Sequence, residues 1–406
     1  MNLIKVALIR EGKVPPDKRV ALTPVQCKEL VERFPSLQIV AQKSAIRAIE
    51  DAEYAKQGIE LRDDVSDCDI MIGVKEVNID ELIPNKTYLF FSHTFKKQPY
   101  NRKLLQAILN KRIRLIDYEV MTYSGGGRVL GFGRYAGIVG AYNSLLAYGR
   151  KTGLFSLKPA HKCFDRTEVE RELSKVKFPD NFRMVMTGFG RVGMGAREII
   201  DLVPVEQVSH HDFLERDFNR PVFTHINVEN YNIHRDGEDF SREHFYAFPE
   251  EYMSTFPRYA HRAQLYIACH YWGAGAPYIF TREDTKHPDF ALQVVGDISC
   301  DIDGPVASTL RPSTIADPHY GYDPQTETEV DFMHPGAIGV MAIDNLPCEL
   351  PRDASEDFGS ELMEKVMPCL LGQDDDGIIE RAAQTTLQGE LAPAFAYLKG
   401  YVEGKD

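Results

Sequence analysis

A chain of 406 residues, 43% hydrophobic and 26% charged, has the apolar material for two packed domains and no bias toward disorder. Its formal charge of -13 makes a field that repels polyanions, so nucleic acid and anionic membrane surfaces are poor partners and a small-molecule ligand fits better. Seven cysteines (Cys27, Cys68, Cys163, Cys269, Cys300, Cys348, Cys369) are odd in number, scattered and never spaced as CxxC, which argues against a disulfide framework and a zinc site; no metal is expected. The N-terminal MNLIKVALIREGK is charged too early for a signal peptide and nowhere do eighteen apolar residues run together. A soluble, cytoplasmic protein, with homo-oligomers left open, is the expectation.

The first third alternates short β-branched runs with amphipathic stretches. Ile4 to Ile9 reads as a strand, and Thr23-Pro24 then opens a helix, because Thr caps orphan N–H groups and Pro at the first helical position loses nothing. Strands follow at Leu37 to Ala41, Asp69 to Val74, Tyr88 to Phe91 and Ile113 to Ile116, with a helix from Asn101 to Leu109. This rhythm is that of a parallel β-α-β sheet. Gly125 to Gly127 break it, and Ala136 to Tyr148 form a long apolar helix leaving the domain.

A second unit of the same kind begins near Phe182. Residues 210 to 265 are polar, aromatic and irregular; beyond them come the apolar run Leu265 to Ala276 and a strand at Leu292 to Val295 leading into GDISCDIDG. In the tail, Phe358, Leu362 and Val366 recur four apart, an apolar stripe that packs on a domain.

Gly188-Phe189-Gly190-Arg191-Val192-Gly193 is a GxGxxG between a strand and a helix. Gly188 permits the tight turn, Gly190 lets a pyrophosphate approach the backbone, Gly193 lets helix and strand pack, and the phosphates sit on the helix N-terminus. The next strand, around Val205 to Ser209, ends in His210-His211-Asp212 rather than the strand-terminal acid that holds an NAD ribose. These imidazoles either tolerate the 2′-phosphate of NADP or are surface histidines, so NAD and NADP both stay open.

In the N-terminal unit, Arg19, Lys75-Glu76, His93 with Lys96, and Glu119 stand at the ends of expected elements, where ligands of open parallel sheets bind. Taken singly each has an ordinary reading: Arg19 and Lys96 as solvated charges, Glu119 as a salt-bridge partner, His93 as a strand-end histidine. Together they suit amine oxidation, which needs a base for the amine proton and a proton shuttle for the imine. A desolvated lysine near other cations and a histidine meet those needs, and Arg19 offers a planar fork to a substrate carboxylate.

The segments RVALTP, IGVKEV, FFSHTFK, RLIDYE, RVLGFGRYAG, GDISCDIDG and AIDNLPCELPRDAS, in that order, resemble the lysine-forming saccharopine dehydrogenases and the lysine-ketoglutarate reductase half of the bifunctional lysine-degrading enzyme. The wider superfamily includes alanine dehydrogenases and the NAD-binding component of proton-translocating transhydrogenases. The resemblance implies Lys75 as the base and His93 as the acid/base of imine hydration, with Arg19, Glu76, Lys96, Glu119 and Arg128 around the substrate. It further implies Asp344 and Asp297 near the cofactor, beside Gly188, Gly190, Arg191, Val192, Gly193, His210, His211 and Asp212, and passes Ile267 to Trp272 close to it. The implied fold is α/β: two Rossmann-like domains with parallel sheets flank a cleft, a discontinuous substrate domain of 1–134 plus 346–406 and a dinucleotide-binding domain of 135–345. The implied activity is the reversible interconversion of saccharopine with lysine and 2-oxoglutarate using NAD or NADP. The alternatives are another amino-acid or opine dehydrogenase such as alanine dehydrogenase, and a non-catalytic NAD-binding subunit.

Overall fold

A computed structural model describes residues 3–405 and divides the chain into two compact units, Met1–Phe132 with Pro351–Asp406, and Gly133–Leu350. The first crossing thus falls between Phe132 and Gly133, and the return between Leu350 and Pro351.

The first unit is built on a six-stranded, wholly parallel sheet of β1 (Ile4–Leu8), β2 (Leu37–Gln42), β3 (Glu60–Arg62), β4 (Ile70–Ile72), β5 (Thr87–Phe90) and β6 (Arg114–Asp117), in the order β3-β2-β1-β4-β5-β6. Residues of β4 are buried on both faces, as a parallel sheet covered by helices demands. Helices α1 (Pro24–Arg33), α2 (Asp51–Lys56) and α3 (Arg102–Asn110) supply crossovers. At α1, Thr23 and Gln26 form a reciprocal capping box with Pro24 in the first turn, so local chemistry sets where the chain turns helical. The C-terminal return adds the helix Pro351–Glu361, whose Phe358 joins Leu362 and Val366 in one core with Val6, Leu8 and Ile72. Phe358 stacks on Phe132 at 4.5 Å between ring centroids, tying the returning chain to the end of the N-terminal segment.

In the second unit, α4 (Gly133–Thr152) is buried along most of its length and packs on α6 (Arg191–Ile200), with α5 (Arg166–Leu173) between them in sequence. A Cβ on Gly137 would lie 1.9 Å from the Val192 carbonyl oxygen, so glycine is what lets the two helices approach. The strands are β7 (Arg183–Thr187), β8 (Glu206–Gln207), β9 (Val222–Ile226), β10 (Asn232–His234), β11 (Tyr252–Ser254), β12 (Leu265–Ala268), β13 (Val294–Asp297), β14 (His319–Asp323), β15 (Thr328–Val330) and β16 (Ile338–Met341). Eight form a sheet in the order β15-β14-β16-β13-β12-β7-β9-β8, parallel from β16 to β8 and ending at the other edge in the antiparallel β14-β15 hairpin. Strands β10 and β11 pair separately. No helix among the described residues is long and apolar enough to cross a membrane.

Candidate active site

In the first unit the register sets Leu8, Ile72, Leu89 and Ile116 level across β1, β4, β5 and β6, so the residues just beyond them emerge on one rim. Lys75 and Glu76 follow β4, His93 follows β5, and Glu119 follows β6. The rim is a connected network. His93 Nδ1 lies 2.6 Å from Glu76 Oε1, and its Nε2 lies 3.6 Å from Glu119 Oε2. Glu119 is also paired with Lys96 at 2.8 Å and Arg128 at 3.2 Å, and Glu76 with Lys13 at 3.5 Å.

Burial of the two glutamates favours their neutral forms, but the cations outweigh it. The His93 hydrogen bond, the backbone and Lys13 bring Glu76 down to about 2, and Lys96, His93 and Arg128 lower Glu119. Lys75 is lowered first by desolvation, then by Arg19 and Lys13, against the opposing pull of Asp17 and Glu76. Its Nζ stands 6.0 Å from the Phe91 ring centroid, an apolar neighbour that contributes to that desolvation.

His93 adopts the left-handed conformation at φ 55°, which a non-glycine residue takes only when its surroundings enforce it. Its two neighbours do so. Ser92 donates its backbone N–H and its hydroxyl to the buried Asp117, at 3.2 and 2.5 Å, and Thr94 donates to Gln384 Oε1 at 2.6 Å. Gln384 in turn donates to Asp117 at 3.0 Å. The strained residue is therefore pinned from both sides by buried groups.

Three residues of this rim escaped the sequence reading. Glu11, just past β1, accepts the backbone N–H groups of Val74 and Lys75 at 2.7 and 2.8 Å and so fixes the main chain that carries Lys75; burial pushes its carboxyl up to about 7 despite those bonds. Lys13 flanks Glu76. Asp17 takes Nε and Nη2 of Arg19 at 3.0 and 2.6 Å, in a pair whose side chains are each 2% exposed. The position of Glu11 after the first strand was a readable signal, by the same rule that singled out Lys75 and His93. Arg19 itself departs from expectation: it is buried, engaged by Asp17 and stacked 4.1 Å over Phe132, rather than offering an open fork to a carboxylate.

In the second unit Thr187 is level with Ile226 and Ala268, and Ala268 with Asp297, so the glycine loop, Asn227, the segment from Cys269 and the turn after β13 share the carboxyl edge. Gly188 has φ +91°, and a Cβ there would meet the Cys269 carbonyl oxygen at 2.4 Å; one on Gly193 would meet the Gly188 oxygen at 1.9 Å. By contrast a Cβ on Gly190 meets nothing within 4 Å, leaving open space at the N-terminus of α6 beside the exposed Arg191 and partly exposed Val192. That is the cradle a dinucleotide pyrophosphate requires. His225 of β9 holds the loop, its Nε2 2.6 Å from the Gly188 oxygen and its ring stacked at 3.9 Å on the half-exposed Phe189.

His210, His211 and Asp212 are not at this edge. The strand beside β7 is β9, and β8 lies outside it, with Gln207 level with Phe223 and three residues short of Ile226, about 10 Å at the rise of a strand. The chain leaves β8 early into a helix, His210–Glu215, capped by Ser209 and bearing the two exposed histidines, while Asp212 pairs with Arg216. The residue that follows the strand next to β7 is Asn227, in a stretch read from sequence as irregular. Asp297 is likewise corrected from cofactor contact to brace: fully buried, it accepts from the Ser299 and Thr309 hydroxyls at 2.5 and 2.6 Å and from the Cys300 N–H. Asp344, just past β16, is exposed. In the Ile267 to Trp272 segment, His270 is buried under the loop with Nδ1 3.1 Å from Thr187 Oγ1, and burial lowers it to about 4.

Alanine dehydrogenase/PNT, N-terminal domain, is the family that matches residues 7–139. Mouse mitochondrial alpha-aminoadipic semialdehyde synthase is 29% identical over 447 aligned residues, covering 99% of this chain and 48% of that protein. Saccharopine dehydrogenase [NAD(+), L-lysine-forming] of Schizosaccharomyces pombe is 26% identical, covering 90% of this chain and 92% of that one. The chain is thus homologous to the saccharopine dehydrogenases along most of its length and matches the alanine dehydrogenase/PNT N-terminal domain in its first third. It spans about half the length of the animal synthases it matches and nearly all of the fungal proteins. A solved L-alanine dehydrogenase shares the fold of this saccharopine dehydrogenase homologue, with a TM-score of 0.65 at 17% identity over 98% of this chain and 100% of the other. The family match at 7–139 takes in the whole first-unit rim, from Glu11 to Arg128.

Proposed function

We propose that this chain is an NAD(P)-dependent oxidoreductase that interconverts saccharopine with L-lysine and 2-oxoglutarate. The observation that carries the reading is the first-unit rim, where a desolvated Lys75 stands one residue from Glu76, and Glu76 in turn holds His93 at 2.6 Å. The fungal relatives named saccharopine dehydrogenase [NAD(+), L-lysine-forming] align along 88–90% of the chain.

In the oxidative direction Lys75, with its proton affinity reduced by burial and by Arg19, takes the proton of the secondary amine so that the nitrogen lone pair can drive hydride loss from the adjacent carbon. The Gly188 to Gly193 loop would hold the pyrophosphate of NAD(P), which when bound would supply the hydride acceptor. Water then attacks the imine carbon and gives a proton to His93; His93 passes it to nitrogen and takes the carbinolamine hydroxyl proton as the C–N bond breaks, releasing lysine and the 2-oxo acid. Glu76 orients the imidazole and stabilises its cation. Arg128 and Lys96, more than two-fifths exposed and gathered by Glu119, are the carboxylate ligands in this reading, while Arg19 acts through its charge on Lys75.

The test is a two-substrate, two-cofactor screen of the purified protein. Oxidation of NADH or NADPH that requires both lysine and 2-oxoglutarate supports the reading; turnover with pyruvate and ammonia alone would assign an alanine dehydrogenase activity instead.

A further inference from the structure

The segment that the sequence left irregular gathers two imidazoles and a carboxylate at one point. His234 is the last residue of β10, His244 lies in the helix Arg242–Ala247, and Glu251 closes the turn Pro249–Glu251 that enters β11. Because β10 and β11 pair with His234 opposite Tyr252, Glu251 is brought beside His234. One ligand atom from each of the three side chains falls within 4.8 Å of the other two.

We propose that His234, His244 and Glu251 bind one borderline divalent cation of the zinc class, which clips together the two ends of the 235–250 segment. In a four-coordinate zinc site, bonds of about 2.0–2.1 Å set neighbouring ligand atoms roughly 3.4 Å apart. Glu251 Oε2 lies 3.3 Å from His234 Nε2 and 3.6 Å from His244 Nε2, so two of the three edges already have that length.

The hydrogen bonding at His244 favours a cation there. Tyr252 donates its hydroxyl to the Ser241 carbonyl oxygen, so its own oxygen accepts from His244 Nδ1–H at 3.1 Å. That tautomer turns the His244 Nε2 lone pair toward the Glu251 carboxylate, an arrangement repulsive without a cation, and supplies the outer hydrogen bond that orients a ligating histidine. His234 Nδ1 accepts from Asp236 N–H at 3.3 Å, so its proton sits on Nε2. Binding there moves the proton to Nδ1 at the expense of that long contact. His234 is buried, whereas His244 and Glu251 are 38% and 48% exposed, which leaves an entry path and room for water as the remaining ligand. Two imidazoles in a set of three select zinc, cobalt or nickel over magnesium or calcium, which take oxygen ligands. The site is independent of the reaction proposed above.

The experiment is calorimetric titration of the chelator-treated full-length chain with Zn²⁺, paralleled by Co²⁺ absorption. The proposal predicts one equivalent bound, no competition by Mg²⁺, a higher Tm with Zn²⁺, and affinity at least about tenfold weaker in His244→Ala and in Glu251→Gln. Glu251→Gln changes a half-exposed side chain and keeps the test open should His244→Ala fold poorly. Absence of binding in the parent chain, or unchanged stoichiometry and affinity in both variants, overturns it.

Discussion

His93 and Glu76 meet at 2.6 Å across the ends of two neighbouring parallel strands, β5 and β4. The contact exists because the register levels the strand ends and because Ser92 and Thr94 lock His93 in its left-handed conformation. Glu76→Gln removes a charge-assisted hydrogen bond of about 1.5–3 kcal/mol, so kcat is expected to fall about ten- to hundredfold. Glu76 is also one of the charges that support the Lys75 ammonium, so the pH limb set by Lys75 moves to lower pH in the variant. A pH–rate profile reads both effects; an unshifted limb with unchanged kcat contradicts this role.

Glu11 carries a stability signature. Its folded carboxyl titrates at about 7, above its ordinary 4.5, so between those values the folded state holds a proton that the unfolded state has released. Stability then falls as pH rises through the window from 4.5 to about 7. Glu11→Gln keeps an acceptor oxygen for only one of the Val74 and Lys75 N–H groups, which lowers stability at every pH, but it flattens this dependence. Denaturant midpoints across the window, for both proteins, decide it.

The Asp17–Arg19 pair behaves in the opposite sense. Burial disfavours the Asp17 carboxylate, but Arg19 outweighs it and holds the group near 2, so its contribution is present above 3.8 and lost as pH falls toward 2. Asp17→Asn breaks a buried ion pair and is expected to cost about 3–5 kcal/mol. Replacement of Arg19 by lysine does not restore the fork geometry. Equilibrium unfolding checks the magnitude.

Cofactor choice is expected to respond at Asn227 and not at His210 or His211, because Asn227 directly follows the strand beside β7. Asn227→Asp places a carboxylate where a ribose 2′-phosphate would be repelled, so KM for NADPH rises relative to NADH. Alanine at His210 and His211 leaves both KM values unchanged. The opposite pattern would return the ribose contact to the histidines.

The sheets were legible where apolar runs were bounded by turn signals, and the first-unit rim followed from a single rule, that side chains after parallel strands share an edge. Thr23-Pro24 and the Phe358, Leu362, Val366 stripe announced themselves through local chemistry and period. The second unit was harder. Strand β9 is a five-residue buried run, Val222–Ile226, inside a polar aromatic region, and β8 is two exposed residues that sequence order placed next to β7. Pairing partners are set by tertiary packing, so the ribose position was assigned to the wrong strand. Arg19 could be read as a cation at the site, but its burial against Asp17 and Phe132 depends on a fold that brings residue 132 under it.

Reductive turnover of the parent chain and of Lys75→Met with lysine, 2-oxoglutarate and each nicotinamide cofactor measures what Lys75 does. Activity is expected to need both substrates and to fall about 10²- to 10⁴-fold in the variant, with the Lys75 limb gone from its pH profile. Equal activity of the two proteins, or turnover by the parent chain with pyruvate and ammonia alone, would contradict this expectation.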